Sequence, residues 1–439
     1  MNKLLAALCS ALLLIAVPAS ASELTDSIKQ DYDAHLADLW DHFHRNPELS
    51  LVEFETAKRM ANELAAAGFT VTEGVGGTGV VAILENGSGP LVMMRADMDG
   101  LPVEEKSGLP NASRAQQESP ITGETVYAMH ACGHDVHITS LVGTARQMVA
   151  RKEEWSGTLM LVVQPAEERG LGAKMMRDDD IWGKFGTPDY ALAFHVSSND
   201  VAGKINVSEG SPYASVDTVD IIIHGVGTHG AHPHRGKDPI VIGAQIVMAL
   251  QTLVSRELAP REPGVVTVGS FHSGTKHNVI SDRAHLQLTV RSTSSEARQL
   301  LLDGIARIAE NMGRVAGLAE DKLPEIIIKD SPTPATTNHA PLARRLKVAW
   351  GREIGDERVI DRPSKGMGGE DFSRLTANPA VPSVYWAIGG TAAEDFEREA
   401  AGGAPVPSHH SPLFRILPEP SVRVGVESTV VALMELMGD

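Results

Sequence analysis

The sequence predicts an α/β fold, a mixed and mostly parallel sheet flanked by helices and interrupted by a smaller α+β domain. Three observations carry the prediction. Continuous apolar runs at Leu91–Met94, Thr158–Val163 and Tyr190–Phe194 read as strands buried on both faces, the habit of parallel sheets. Segments with apolar residues at helical spacing lie around them. From about Ser215 the order changes to strand, helix, strand, strand, helix, strand, the split-βαβ arrangement, before patterns of the first kind resume.

The 439 residues are enough for two domains. Lys3, the apolar run Leu4–Val17 and the small residues Ala19-Ser20-Ala21 follow the order of a secretory leader. Residues 1–21 are therefore expected to be removed on export to the periplasm or the medium. The run is too short to span a bilayer, so no stable membrane anchor is expected. Cys9 follows Leu8 and not a small residue, which argues against a lipid-bearing cysteine. The rest of the chain reads as free of long apolar spans. The formal charge is −17, and loss of Lys3 with no acid takes it to −18. An acidic surface disfavours nucleic acid and anionic membranes as partners. Export would leave Cys132 as the single thiol. Exported proteins that use cysteine for stability use it in pairs, so Cys132 is expected to be bound or buried, with metal ligation ahead of a nucleophile role.

A helix is expected over about residues 22–47, with Leu36, Leu39, Trp40 and Phe43 on one face, and a second from about Leu51 to Ala67, stopped by Gly68. Phe69–Thr72 reads as a strand. Gly74–Gly79 satisfies G-x-G-x-x-G, but a strand pattern, Val80–Leu84, follows where a nucleotide loop needs a helix, so the segment reads as a turn. After Asp135, the residues Ile138, Leu141, Val142, Ala145 and Met148 predict an amphipathic helix. In the insertion, a strand from Ser215 precedes a helix at about Pro239–Ser255. Strands at Val265–Ser270 and His285–Arg291, a helix over Glu296–Val315 and a strand at Glu325–Lys329 complete it. Ser331-Pro332-Thr333-Pro334 reads as the return linker. The expected boundaries are thus 22–213, 214–331 and 332–439, the last part carrying elements at Leu342–Trp350, Ser383–Ile388 and Ser421–Leu436.

Chemistry-bearing residues collect where this layout builds sites. Asp97 and Asp99, Glu167 and Glu168, and His195 each lie just past the carboxyl end of an apolar strand, the edge at which open α/β sheets bind ligands. Cys132 and His134, two apart and so on different helical faces, read as loop ligands before a helix, and a metal is what they suggest. One His of Ser408-His409-His410-Ser411-Pro412 could complete such a set. The insertion carries His229, His232 and His234 in a glycine-rich loop, either a surface loop or an adventitious metal patch.

Arg95–Pro102, Met129–Asp135, Gln164–Glu168, Phe194–Val196, Gly369–Phe372 and His410–Pro412, in that order, resemble the amidohydrolase branch of the aminoacylase–carboxypeptidase dinuclear metallopeptidases. That branch includes hippurate hydrolase and the plant hydrolases of auxin–amino-acid conjugates, and the resemblance covers essentially the whole mature chain. It implies a catalytic domain interrupted by a ferredoxin-like lid or dimerisation domain, with a homodimer through the insertion. It implies two divalent transition-metal ions on Cys132, His134, Glu168, His195 and His410, with Glu167 as general base. His229 would reach an active site, often that of a partner subunit, and Asn278 and Arg291 would hold the substrate carboxylate. The chain departs from the usual pattern at Thr228-His229-Gly230-Ala231, at Gly369 and Gly100, and in a longer Ser107–Tyr127 segment. These changes bear on substrate preference and remove no ligand.

The implied reaction is hydrolysis of N-acyl amino acids. It needs an activated water, a polarised carbonyl and a proton for the leaving amine, and two ions roughly 3.5–4 Å apart supply the first two. A Cys/His/Glu set suits zinc or manganese, then nickel or cobalt. Glu167 would move the proton, His229 would donate to the developing oxyanion, and Asp99 would orient a ligand or hold the loop. Asp135 and Glu370 could each be supporting or structural. An exported carboxypeptidase or dipeptidase could use the same site. A non-catalytic metal- or solute-binding protein would not require Glu167, and no G-x-S-x-G is present for a serine hydrolase.

Overall fold

In a computed structural model, residues 20–329, 332–363 and 366–438 are described. Nearly all of the expected leader (1–19) and Ser331 of the linker lie outside them.

The main sheet has eight strands in the order Thr70–Val75, Gly79–Asn86, Gly157–Gln164, Leu91–Asp97, Tyr190–Val201, Ser383–Thr391, Ile205–Asn206 and Val359–Ile360. From Gly157–Gln164 to Ser383–Thr391 the neighbours are parallel, and antiparallel pairs flank them. The central strands carry continuous apolar runs because each face is covered. Met94, Leu159, Leu161, Val163, Leu192 and Phe194 face a large core with the helices, whereas Met93, Met160, Val162, Ala191 and Ala193 face a second core with Met176, Ile181 and Phe372.

The helix His134–Ala150 differs from its amphipathic expectation. Thr139, Ser140, Thr144 and Gln147 are buried along with its apolar residues, because the helix lies between the sheet and the C-terminal helix Pro418–Met437. The contact is close: a Cβ on Gly143 would meet Val426 Cγ2 at 2.6 Å. The first helix runs from Ser20 to Arg45 with a π-helical segment at Tyr32–Leu36, and the second starts at Phe54, three residues later than expected, since Leu51 takes φ +77°.

The insertion folds on its own core. Gly264–Ser273, Arg283–Ser292, Ser215–His224 and Glu325–Ile328 form an antiparallel sheet in that order. Pro239–Thr252 and Ser295–Val315 cover one face, with Ile221, Ile223, Ile246, Leu250, Leu286, Leu301 and Ile305 between. Both helices start at side-chain caps, Asp238 accepting from the Ile240 amide and Ser294 from the Ala297 amide. One feature corrects the reading of the chain body as free of long apolar spans. Pro239–Glu257 is long and apolar enough to cross a membrane, because it packs Ile242 and Ile246 inward while Ile240, Val241 and Met248 stay exposed.

Strand Tyr190–Val201 continues well past Phe194, so His195 lies within the strand and not beyond its end. Its partner on one side, Leu91–Asp97, stops pairing at Arg95↔Ala193, which leaves His195 facing an open edge.

Candidate metal centre

The carboxyl edge of the parallel strands forms one wall of a cleft of roughly 1040 Å³, and Val216, Thr218, Arg291 and Lys329 of the insertion's uncovered sheet face form another. Each strand end presents its residues through a turn that backbone chemistry dictates. Gly133 takes φ +82° ahead of the helix, and a Cβ there would meet Val196 Cγ1 at 2.4 Å, so the Cys132–His134 turn requires glycine. His134 is the helix's first residue and not part of the loop. The His410 amide donates to the Ala131 carbonyl at 2.9 Å, tying the C-terminal His loop to this turn.

The ring nitrogens are sorted by their second partners. His134 Nδ1–H donates to the Asp99 carbonyl at 2.8 Å, which leaves Nε2 as the nitrogen available to a metal, buried and without a hydrogen-bond partner among the described residues. His195 Nδ1–H donates to the Val196 carbonyl at 2.6 Å, and its Nε2 lies 3.3 Å from Cys132 Sγ. Glu168 Oε2 is 3.3 Å from His410 Nε2, while its Oε1 is buried with no hydrogen-bond partner among the described residues. Among the described residues, potential ligand atoms within 4.8 Å of one another form five groups: Cys132–His134–His195, Cys132–Glu168–His410, His134–Glu167–Glu168, Asp97–His134–His137 and Glu167–Glu370–Asp371. The five residues assigned as ligands are therefore gathered, with Cys132 common to two triads.

The electrostatics of the pocket favour a bound cation. Burial pushes the Cys132 thiol well above its ordinary value, and Glu168 and Glu167 push it further. Burial, Glu370 and Glu168 raise Glu167 strongly, and burial with Asp99 and Asp97 lifts Glu168 to about 7 against the pull of His134. The buried cation nearby, Arg95, is already bound to Asp97 at 2.6 Å and Glu370 at 2.8 Å. Orphaned lone pairs in an acid-rich, buried pocket fit divalent cations, whose charge would hold the thiolate and carboxylates ionised.

Asp99 supports the site and does not line it. Its carboxylate accepts from the Glu167 amide at 3.1 Å, the Glu168 amide at 3.0 Å and Ser50 Oγ at 2.6 Å. Glu370 accepts from Arg95, the Phe372 amide and Tyr385 Oη, and Asp135 accepts from the Val136 amide and pairs with His44, so both are held by protein partners. Arg291 lines the cleft. His229 and Asn278 do not: they sit on the small Thr228–His229/Val279–Ile280 ladder, where the Gly230 amide donates to the Asn278 carbonyl at 2.8 Å. His229, His232 and His234 are exposed, and their nitrogens form no metal-holding group among the described residues.

Several contributors had no assigned role at the sequence level. His137 donates from Nδ1 to Asp97 at 2.5 Å and accepts at Nε2 from the Val196 amide at 2.8 Å, so both nitrogens are occupied and it orients the strand at His195. Glu53, fully buried, accepts from the Ala166 amide at 2.9 Å and from Thr78 Oγ1 at 2.6 Å. His409 stacks edge-on against His195 and accepts from the Ser198 amide. Arg95, Asp97 and His409 stood in motifs already noted, whereas Glu53 carried no signal.

The family model for peptidase family M20/M25/M40 matches residues 93–401. Thermostable carboxypeptidase 2 of Saccharolobus solfataricus is 34% identical over 84% of this chain and 87% of its own length. Hippurate hydrolase of Campylobacter jejuni is 36% identical over 75% of this chain and 82% of its own. Among solved structures, the Bacillus subtilis YXEP protein, described as a dinuclear metal binding peptidase, superposes with a TM-score of 0.74 at 27% identity, covering 93% of this chain and 99% of its own.

Proposed function

Because the chain belongs to peptidase family M20/M25/M40 and is a metal-dependent hydrolase, we propose that it cleaves the amide bond of N-acyl amino acids, with Glu167 as the general base. One observation carries this reading. The Glu167 backbone is pinned by Asp99 beside the ligand set, while its carboxylate lines the cleft and takes no hydrogen bond from any described residue. A residue needed only for structure would be engaged, as Glu370 and Asp371 are.

Cys132, His134, Glu168, His195 and His410 would hold two divalent ions, zinc or manganese first, which when bound lower the pKa of water and polarise a carbonyl. Glu167 takes the proton of the attacking water and returns it to the leaving nitrogen. Arg291 holds the substrate carboxylate from the insertion side of the cleft. His229 and Asn278, lying outside this chain's cleft, act in that of a second copy joined through the insertion, where His229 donates to the developing oxyanion. Export rests on the leader pattern at residues 1–21. A second reading, a carboxypeptidase or dipeptidase, is favoured by the likeness to a thermostable carboxypeptidase.

Glu167→Gln is expected to keep its metal by elemental analysis and to lose turnover by about 10³-fold. Unchanged turnover in that variant would remove Glu167 from the mechanism. Rates with acetyl-, benzoyl- and indoleacetyl-amino acids against a dipeptide panel, after reconstitution with each metal, decide between the two substrate classes.

A further inference from the structure

Tyr213 ends the strand Gly210–Tyr213, at the point where the chain leaves the main sheet for the insertion. Its backbone is fixed on both sides. It stands opposite Thr336 in an antiparallel pair, and the next residue, Ala214, donates its amide to the Gly368 carbonyl at 2.9 Å. Its ring is fixed as well, edge-on to Tyr385 at 5.1 Å and 6.4 Å from the His195 ring.

The two phenols differ in what their hydroxyls do. Tyr385 Oη donates to Glu370 at 2.7 Å. The Tyr213 hydroxyl bonds to none of the described residues, although it lines the cleft with Cys132, Glu167, Glu168 and His195 and lies in the field of Glu370, Cys132 and Glu167. A tyrosine held this tightly in a protein wall ordinarily finds a partner for its hydroxyl. A phenol is protonated at neutral pH and so offers a donor.

The Gly368–Gly369 turn says where that donor lies along a substrate. A Cβ on Gly368 would come to 3.9 Å from Tyr213 Cδ1, and one on Gly369 would come to 3.0 Å from Arg291 Nη1. Tyr213 and Arg291 therefore sit on successive residues of one turn, with Tyr213 on the side of His195. A substrate with its carboxylate on Arg291 and its amide at Glu167 would share the cleft that Tyr213 also lines.

We propose that Tyr213 is a catalytic residue whose hydroxyl donates a hydrogen bond to the acyl carbonyl oxygen of the substrate. The inference rests on the amidohydrolase reading above. The bond strengthens as negative charge grows on that oxygen, so it acts on the transition state more than on binding. No proton is transferred and no covalent bond is made at Tyr213.

Tyr213→Phe removes one oxygen and keeps the ring packing. In the full-length, metal-loaded enzyme it is expected to lower kcat about 10- to 100-fold, with KM, metal content and melting temperature unchanged. An unchanged kcat overturns the proposal. So does a rise in KM alone, which means uniform binding, and so does a loss of metal or of melting temperature that accounts for the lost rate. Glu167→Gln is measured beside it. If Glu167→Gln is dead and Tyr213→Phe is fully active, the role of Tyr213 fails while the reaction stands; if Glu167→Gln stays active, the underlying mechanism fails.

Discussion

At the residue scale the site depends on three consecutive amides held by two buried carboxylates. Ala166 takes φ +47°, an uncommon conformation for a residue with a side chain, and its amide donates to Glu53 while those of Glu167 and Glu168 donate to Asp99. Removing the Glu53 carboxylate would leave the Ala166 amide buried and unpaired, at a cost of about 1–3 kcal/mol. Glu53→Ala is therefore expected to lower kcat at least about 10-fold by loosening the turn that aims Glu167. Glu53→Gln keeps an acceptor oxygen and should retain most of the rate. Burial, then Asp99, lifts the Glu53 carboxyl to about 7, above its ordinary 4.5. The sign follows: the stability Glu53 contributes is complete below its unfolded value and is lost as pH rises through about 7. The melting temperature of Glu53→Gln relative to the parent should accordingly climb between about pH 5 and pH 8; a constant offset would show that Glu53 does not titrate in that window. Nothing in the sequence marks Glu53, because a glutamate before the first turn of an amphipathic helix reads as a solvated group. Glu167 and Glu168 were legible for the opposite reason, since they end an apolar strand where a solvated pair has no business being.

At the element scale, the parallel strands were legible because burial on both faces gives them continuous apolar runs, Val92–Met94, Leu159–Val163 and Ala191–Phe194. The end of Tyr190–Val201 was not, because Ser197, Ser198, Asn199 and Asp200 extend the strand by backbone pairing to Ser383–Thr391 with no apolar signal. The helix His134–Ala150 was found but its burial was underestimated, since Thr139, Ser140 and Thr144 look solvent-facing until the C-terminal helix covers them. How the N-terminal helices dock was not legible either, because it runs through a polar contact remote in sequence. His44 Nδ1 lies 2.8 Å from Asp135, its Nε2 lies 3.4 Å from Glu105, and its ring stacks on Trp40 at 4.7 Å. Burial alone would lower the His44 pKa, but hydrogen bonds to Asp135 and Glu105 raise it to about 10. The charged imidazolium thus links the first helices to the residue after His134. Its contribution is fully present below the ordinary histidine value of 6.5 and is lost as pH rises through about 10. His44→Phe strands two buried carboxylates, so it should cost about 3–5 kcal/mol at neutral pH. Thermal melts of both proteins from about pH 7 to 10 test this, because the gap between them should close as pH rises. A gap that stays open would mean that packing on Trp40, and not charge, docks the helix.

At the scale of the whole molecule, the main-sheet part and the insertion have separate cores, but the cleft between them is shared. Every assigned ligand belongs to the main-sheet part, at Cys132, His134, Glu168, His195 and His410, and none belongs to the core of the insertion built on Ile221, Ile246, Leu286 and Ile305. The buried guanidinium beside the acids of the cleft wall, Arg95, is already bound to Asp97 and Glu370. Removing divalent ions from the protein therefore leaves buried acidic groups uncompensated in one part and changes nothing inside the other. Ions present at about 100 times their dissociation constant stabilise a folded site by about 2.7 kcal/mol, and chelation withdraws that term. Calorimetry of the chelated protein should show the main-sheet transition moved to lower temperature and a transition of the insertion left in place, two steps where the loaded protein shows closer or merged melting. Adding zinc or manganese should return the lower step. If chelation shifts neither transition while elemental analysis confirms that the metal is gone, the acid cluster is balanced by the protein alone, and Cys132, Glu168 and His410 owe their proximity to packing instead of to an ion.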